Sequence, residues 1–341
     1  MTAPNENATN AKDFRSVFAG KKCLITGGLG FIGSSLAIHL AGIGAKVVVV
    51  DSLIPEYGGN LFNVAPVHEH ITINIADVRD EYSMDYLVRD RDYLFNLAGH
   101  TSHIDSMTDP YTDLDINCRA QLSILEACRK NNPGIKVVFA STRQIYGRPE
   151  RLPVDENHPI KPVDVNGINK LAGEWYHTLY NNVYGVRSVS LRLTNTYGPR
   201  MRIKDARQTF LGVWIRELLA DHPLKVFGDG SQLRDFNYVD DVCIAFLKAA
   251  ASDTANGRAI NLGSDEVINL RDLAAAMIEL HGRGEFQAVP FPPERKIIDI
   301  GDYYGDWTLA RDLLGWAPTI ALKQGLVQTL EYFYRHGDKY A

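Results

Sequence analysis

Eight residues, Thr26 to Gly33 (TGGLGFIG), constrain this chain more than any other stretch of it. They follow the apolar run KCLI and lead into FIGSSLAIHLAGIG, whose apolar spacing is helical and which stops at Gly42 or Gly44. Gly27, Gly30 and Gly33, placed between a strand and a helix, meet three needs: a tight turn, close approach of backbone to a pyrophosphate, and close helix–strand packing. The helix N-terminus then offers free N–H groups and a positive dipole end to phosphates. A second buried strand, KVVVVD, ends at Asp51, 18 residues after Gly33. An acid there hydrogen-bonds the adenosine ribose hydroxyls and repels a 2′-phosphate, so the predicted cofactor is NAD rather than NADP. Asp77, closing a third strand (ITINIADV), is the expected acceptor for the adenine amino group.

Strands and helices go on alternating, as in a parallel sheet covered by helices. DYLFNLAG and IKVVFAST read as further strands, with a helical stretch over 113–130 before the second. A longer helix is predicted over 166–183, and a sixth strand at RSVSLRL from Arg187. After Pro199 the chain becomes richer in proline, aromatics and isolated charges. The expected architecture is α/β: a Rossmann-type doubly wound parallel sheet over 21–198, joined by a returning strand near 258–263. A smaller C-terminal α/β substrate domain is expected over 199–341, and a frayed N-terminus over 1–20. The 341 residues suffice for two such domains, and 45% hydrophobic with 23% charged residues is a globular balance. A net charge of −5 gives no electrostatic reason for nucleic acid or an anionic membrane as partner. Cys23, Cys118, Cys128 and Cys243 are too scattered for a metal site and read as thiols of a reducing compartment, so a cytoplasmic protein without metal is expected.

Further motifs stand downstream: NIADV with Asp77, NLAG from Asn96, STRQIYG from Ser141, NTYGPRM from Asn195 and GDGSQLRDFNYVDDV from Gly228. With them, the chain resembles over nearly its whole length the extended short-chain dehydrogenase/reductases that act on nucleotide sugars. The resemblance implies a tightly held NAD that removes a hydride from a sugar carbon and often returns it in the same cycle. It implies that Phe31, Ile32, Val78, Leu97 and Ala98 line the cofactor, that Lys170 holds the nicotinamide ribose, and that Thr142 orients the reacting hydroxyl. Gln144 is expected at the substrate and Asn195 at its diphosphate. Arg234 and Arg295 can supply forked donors to a pyrophosphate, and Arg207 adds to the same anion site. Arg295 precedes Asp299 and Asp306 at the spacing that the family's late arginine motif shares. Relatives commonly form homodimers through the helix carrying Lys170 and the helix over 113–130.

Two departures bear on chemistry. The family places Tyr four residues before the helical Lys; here the segment is NGINK, with Lys170 in place and Asn166 where Tyr belongs. An amide cannot act as a general base at neutral pH. Another group takes over proton transfer, or the chain binds NAD and ligand without turnover, or this is a deliberately disabled variant. Among substitutes His103, in the loop HTSHIDS after the NLAG strand, is the leading candidate, ahead of His100 and Asp105. The second departure is Arg143 and Gln144, standing where dehydratases carry an Asp-Glu pair and decarboxylases a Glu. Neither side chain shuttles a proton as a carboxyl group does. The expected function is therefore a nucleotide-sugar epimerase working through a keto-sugar. The alternatives are a decarboxylase or net oxidoreductase of the same superfamily, or a non-catalytic NAD and sugar-nucleotide binder.

Overall fold

The computed structural model describes residues 14–207 and 209–340. In chain order its strands are β1 (Lys22–Thr26), β2 (Lys46–Asp51), β3 (Ile71–Ile75), β4 (Tyr93–Asn96), β5 (Lys136–Thr142) and β6 (Ser188–Leu193). There follow β7 (Asn195–Tyr197), β8 (Leu224–Phe227), β9 (Leu233–Tyr238), β10 (Ala259–Asn261), β11 (Val267–Asn269) and β12 (Phe286–Val289). Seven of them form one parallel sheet in the order β10-β6-β5-β4-β1-β2-β3. Strands such as KVVVVD and KVVFAST are apolar on both faces because helices cover both. The chain winds outward from β1 to β3, then returns to the other side of β1 as β4. A parallel sheet that reverses direction opens a crevice at its C-terminal edge, and here Thr26 pairs with Asn96 at that edge.

The helices that position the site are α1 (Phe31–Gly42), α2 (Glu81–Leu87), α3 (His103–Thr108), α4 (Pro110–Leu114), α5 (Ala120–Asn131) and α6 (Val165–Tyr184). The helix expected over 113–130 is not continuous: a π-helical turn, Asp115–Arg119, separates α4 from α5. Across that widened turn Asn117 donates to Asp113 Oδ2 at 3.0 Å and to the His100 carbonyl at 2.9 Å, so both side chains point inward rather than along a regular helix face. Helix α6 begins at Asp164, whose carboxylate accepts from the Gly167 N–H at 2.6 Å, and stops at Gly185 in the left-handed region.

The chain crosses between its two parts more often than one boundary after Pro199 implies. The C-terminal helices α7 (Phe210–Leu219) and α8 (Val239–Ala251) share one hydrophobic core with α1 and the central sheet, and α8 packs directly on α1 and β5. Residue Val154 in turn bridges to Gly305, and Tyr146 and Leu171 share a cluster with Ile300 and Tyr303. The smaller part holds the sheet β11-β9-β7 and the pair β12-β8. At the N-terminus, residues Phe14–Phe18 form a 3₁₀ helix with Phe18 buried against Tyr93 and Phe95. Fraying therefore does not extend through 14–20, and residues 1–13 lie outside the described residues. No helix among the described residues is long and apolar enough to cross a membrane.

Candidate active site

At the crevice the β1–α1 turn is held open by its glycines. Gly27 sits at φ 64°, and a Cβ there would press on the Ala98 backbone at 3.0 Å; a Cβ on Gly33 would run into the Gly27 carbonyl. Helix α1 starts at Phe31 with Gly30 as its N-cap and no side chain covering the first N–H groups. Asp51 accepts from the Leu29 N–H at 3.1 Å and the Leu53 N–H at 3.0 Å. Burial raises its pKa against those hydrogen bonds. Asp77 is gripped by Arg79, Nη2 to Oδ2 at 2.6 Å, which lowers the Asp77 pKa, so any adenine amino group shares this carboxylate with Arg79. One continuous cleft is lined by every residue expected at the cofactor: the three glycines, Phe31, Ile32, Asp51, Asp77, Val78, Leu97, Ala98 and Lys170. An uncapped helix end, glycines that leave room for phosphate, and an acid at the end of β2 fit NAD.

Lys170 lies deep at the other end of the cleft. Its ammonium donates to the Ala140 carbonyl at 3.2 Å and sits 5.0 Å from the centre of the Phe139 ring. Burial pushes its pKa down to about 8, against the pull of Asp113. Gly99 makes room for it, since a Cβ at 99 would stand 2.7 Å from Lys170 Nζ.

The amide of Asn166 is committed. Its Nδ2 donates to the His100 carbonyl at 2.7 Å and to Asp113 Oδ2 at 2.9 Å. Asp113 is wholly buried and also accepts from His100 Nδ1 at 3.0 Å, Asn117 at 3.0 Å and Asn169 at 2.8 Å. Burial alone would raise its pKa, but the bonds from His100, Asn169, Asn166 and Asn117 outweigh this and hold it down. Asn166 is thus one member of a built network of amides, an imidazole and a carboxylate.

His103 opens α3, with its side chain about one-third exposed and Nδ1 3.0 Å from Asp164 Oδ2. The two groups are in contact without an aligned hydrogen bond between them. Asp164 is also reached by Gln144 Nε2 at 2.9 Å. Burial is again outweighed, here by His103, Gly167 and Gln144, and the Asp164 pKa is lowered. Thr142 ends β5 with its hydroxyl accepting from the Gln144 N–H at 3.2 Å, which leaves the O–H free to donate toward the cleft that it lines. Asp105, the weaker candidate in the same loop, is taken by Arg207 at 2.7 Å.

A second cavity, of about 660 Å³, adjoins the first and is lined by Arg207, Arg234 and Arg295. Arg234 is buried, with Nη1 on the carbonyls of Leu233 and Gly301, so half of its fork holds the protein together. Burial and the like charge of Arg143 push its pKa down to about 10. Arg295 stands over Phe227 at 5.7 Å, and Phe227 packs on Phe291 at 5.4 Å, giving this cavity an aromatic end. His103, Arg143, Gln144, Asn195 and Thr209 line both cavities and mark where they meet. Sequence reasoning did not assign Asp113, Asp164 or Arg143 a place in the site. Asp164 had a readable signal as a helix cap, while Arg143 registered only as a missing carboxyl group. Among the described residues no cluster of His, Cys, Asp or Glu gathers to hold a metal ion.

Comparison with known proteins gives this geometry a context. The family model described as NAD dependent epimerase/dehydratase family matches residues 23–263. A putative UDP-glucose 4-epimerase of Methanocaldococcus jannaschii is 34% identical over 311 residues, 91% of this chain and 97% of that one. The UDP-glucose 4-epimerase of Thermotoga maritima, solved with UDP-glucose, superposes with a TM-score of 0.85 at 30% identity, covering 92% of this chain and 99% of that one. The UDP-glucuronic acid 4-epimerase of Bacillus cereus, solved with UDP-glucuronic acid and NAD, gives 0.81 at 27% identity, over 92% and 99% of the two chains.

Proposed function

The chain belongs to the NAD-dependent epimerase/dehydratase family, and we propose that it is a nucleotide-sugar epimerase whose proton acceptor is His103 rather than a tyrosine. The observation that carries this reading is the meeting of the two cavities. An NAD cleft opens onto a basic cavity, and the residues at the junction offer an imidazole beside a buried carboxylate but no carboxylic acid able to drive elimination. When bound, NAD would supply the hydride acceptor and donor for oxidising a ring carbinol and reducing the keto-sugar from its other face.

The protein's own share is positioning and proton movement. Thr142 donates to the reacting oxygen, and His103 Nε2 takes the hydroxyl proton while Asp164, 3.0 Å from Nδ1, stabilises the imidazolium. Lys170 holds the nicotinamide ribose and keeps positive charge beside the reacting oxygen. Asn166 contributes no proton acceptor; its amide braces the His100 carbonyl and Asp113 and so fixes the wall of the site. Arg207, Arg234 and Arg295 hold the diphosphate, while Asn195, expected there, spends its amide on Arg143 and the Asp235 carbonyl. Gln144 spends its amide on Asp164, which argues against decarboxylation or dehydration. The test is incubation with UDP-, CDP-, GDP- and dTDP-sugars, followed by NMR. Interconversion of epimers is expected; NAD and sugar nucleotide bound with every sugar unchanged would instead support a binding protein.

The same reading includes a homodimer. Helix α6 exposes Ile168, Trp175, Leu179 and Val183 along one side, an apolar stripe too extended for a free helix surface. A second copy of the chain covering it restores a four-helix contact. Light scattering after gel filtration should give twice the chain mass for the native protein and the chain mass for Trp175→Glu; a native monomer would end this part of the reading.

A further inference from the structure

Five residues face both cavities, and Arg143 is the one permanent cation among them. Its guanidinium lies over the Tyr303 ring at 5.0 Å, and Nη2 donates to Asn195 Oδ1 at 3.0 Å. Nη1 is closed off from solvent and has no hydrogen-bond partner. Asp235 and Asp299 act on the guanidinium at a distance, without a hydrogen bond, and Arg234 opposes it with like charge. Burying one N–H of a charged fork without an acceptor is costly, and native proteins rarely leave it so. The arrangement wants an anionic oxygen brought in from outside.

The diphosphate is not the natural donor of that oxygen. Arg207, Lys225, Arg234 and Arg295 line the second cavity and not the cofactor cleft, whereas Arg143 faces both. Thr142 and Arg143 both line the cofactor cleft, so a sugar whose reacting hydroxyl bonds Thr142 has a neighbouring ring substituent within the same cleft as Arg143. A planar fork matches a carboxylate with two parallel hydrogen bonds, and a neutral hydroxymethyl group at the same place leaves Nη1 unpaired. We infer that Arg143 selects a nucleotide sugar whose ring bears a carboxylate on the carbon next to the oxidised carbinol, that is, a nucleotide-linked uronic acid. This inference rests on the epimerase reading given above.

The experiment is calorimetric titration of the NAD-loaded protein with UDP-glucuronate and, separately, UDP-glucose. The native protein should bind the acid at least about tenfold tighter, the scale of a charge-assisted hydrogen bond. In Arg143→Gln that ratio should fall to near one, and Arg143→Lys, which keeps the charge but not the fork, should retain part of it. Equal affinity of the native protein for the two sugars would overturn the inference without any variant. So would an Arg143→Gln protein that loses affinity for both sugars alike, because the guanidinium then serves the diphosphate. If neither UDP-sugar binds, the same two sugars on CDP, GDP and dTDP are titrated, and failure of all of them overturns the reading on which the inference rests.

Discussion

Glu174→Ala is expected to cost on the order of 3–5 kcal/mol of folding stability, a large share of the roughly 5–15 kcal/mol that holds a typical domain. Glu174 and Arg192 are both buried, joined by two bonds, Nη2 to Oε1 at 2.6 Å and Nε to Oε2 at 3.0 Å. Removing the carboxylate strands a guanidinium in the core. It also frees Ser141, whose hydroxyl donates to Glu174 Oε2 at 2.6 Å one residue before Thr142. Arg192 reaches on to the Tyr146 hydroxyl, which donates to Asn261 Oδ1 at 2.7 Å, so the damage runs from β5 to β10. Urea unfolding of the two proteins measures the difference. The double variant Glu174→Leu with Arg192→Met, which removes both charges, should recover much of the loss. A Glu174→Ala protein within about 1 kcal/mol of the native one would contradict the assignment of a paired buried charge.

His103→Gln is expected to lower kcat by about 10²- to 10⁴-fold, the usual worth of a positioned general base, with KM changed far less. The glutamine keeps the size and polarity of the side chain but not its proton affinity. The alkaline limb of the pH profile should be the same in both proteins. It belongs to Lys170, whose pKa burial lowers to about 8, so its charge is lost as pH rises through that value. An unchanged kcat in His103→Gln would remove His103 from proton transfer and leave His100, hydrogen-bonded to Asp113, as the next candidate.

What could be read from the sequence was local chemistry. The glycine turn and Asp51 follow from spacing within one strand–turn–helix unit, and Lys170 from its distance to a missing tyrosine. The start and stop of α6 were close to legible because Asp164 and Gly185 are ordinary cap residues. The break before α5 was not, since nothing in the periodicity of residues 113–130 says that Asp113 and Asn117 turn inward to meet His100. Helix α8 carries a local signal, since VDDVCIAFLKAAA is apolar on most sides, as a helix buried between a sheet and other helices must be. Asp113, Asp164 and Arg143 acquire their surroundings from residues 50 or more positions away or from loops that fold against them, and no short pattern encodes that. Asn166 shows the same limit from the other side. Read alone, it is a lost base; in the structure it is one of four groups gathered on Asp113.

The central claim, oxidation and re-reduction of one sugar carbon by NAD on this chain, is tested most directly by following the hydrogen on that carbon. The protein is incubated in D₂O with the nucleotide-sugar panel, and the products are observed by proton NMR. The account predicts an epimer that keeps its original hydrogen at the inverted carbon, without accumulation of NADH. Deuterium at that carbon, or a full panel of unchanged sugars with NAD bound, would contradict it.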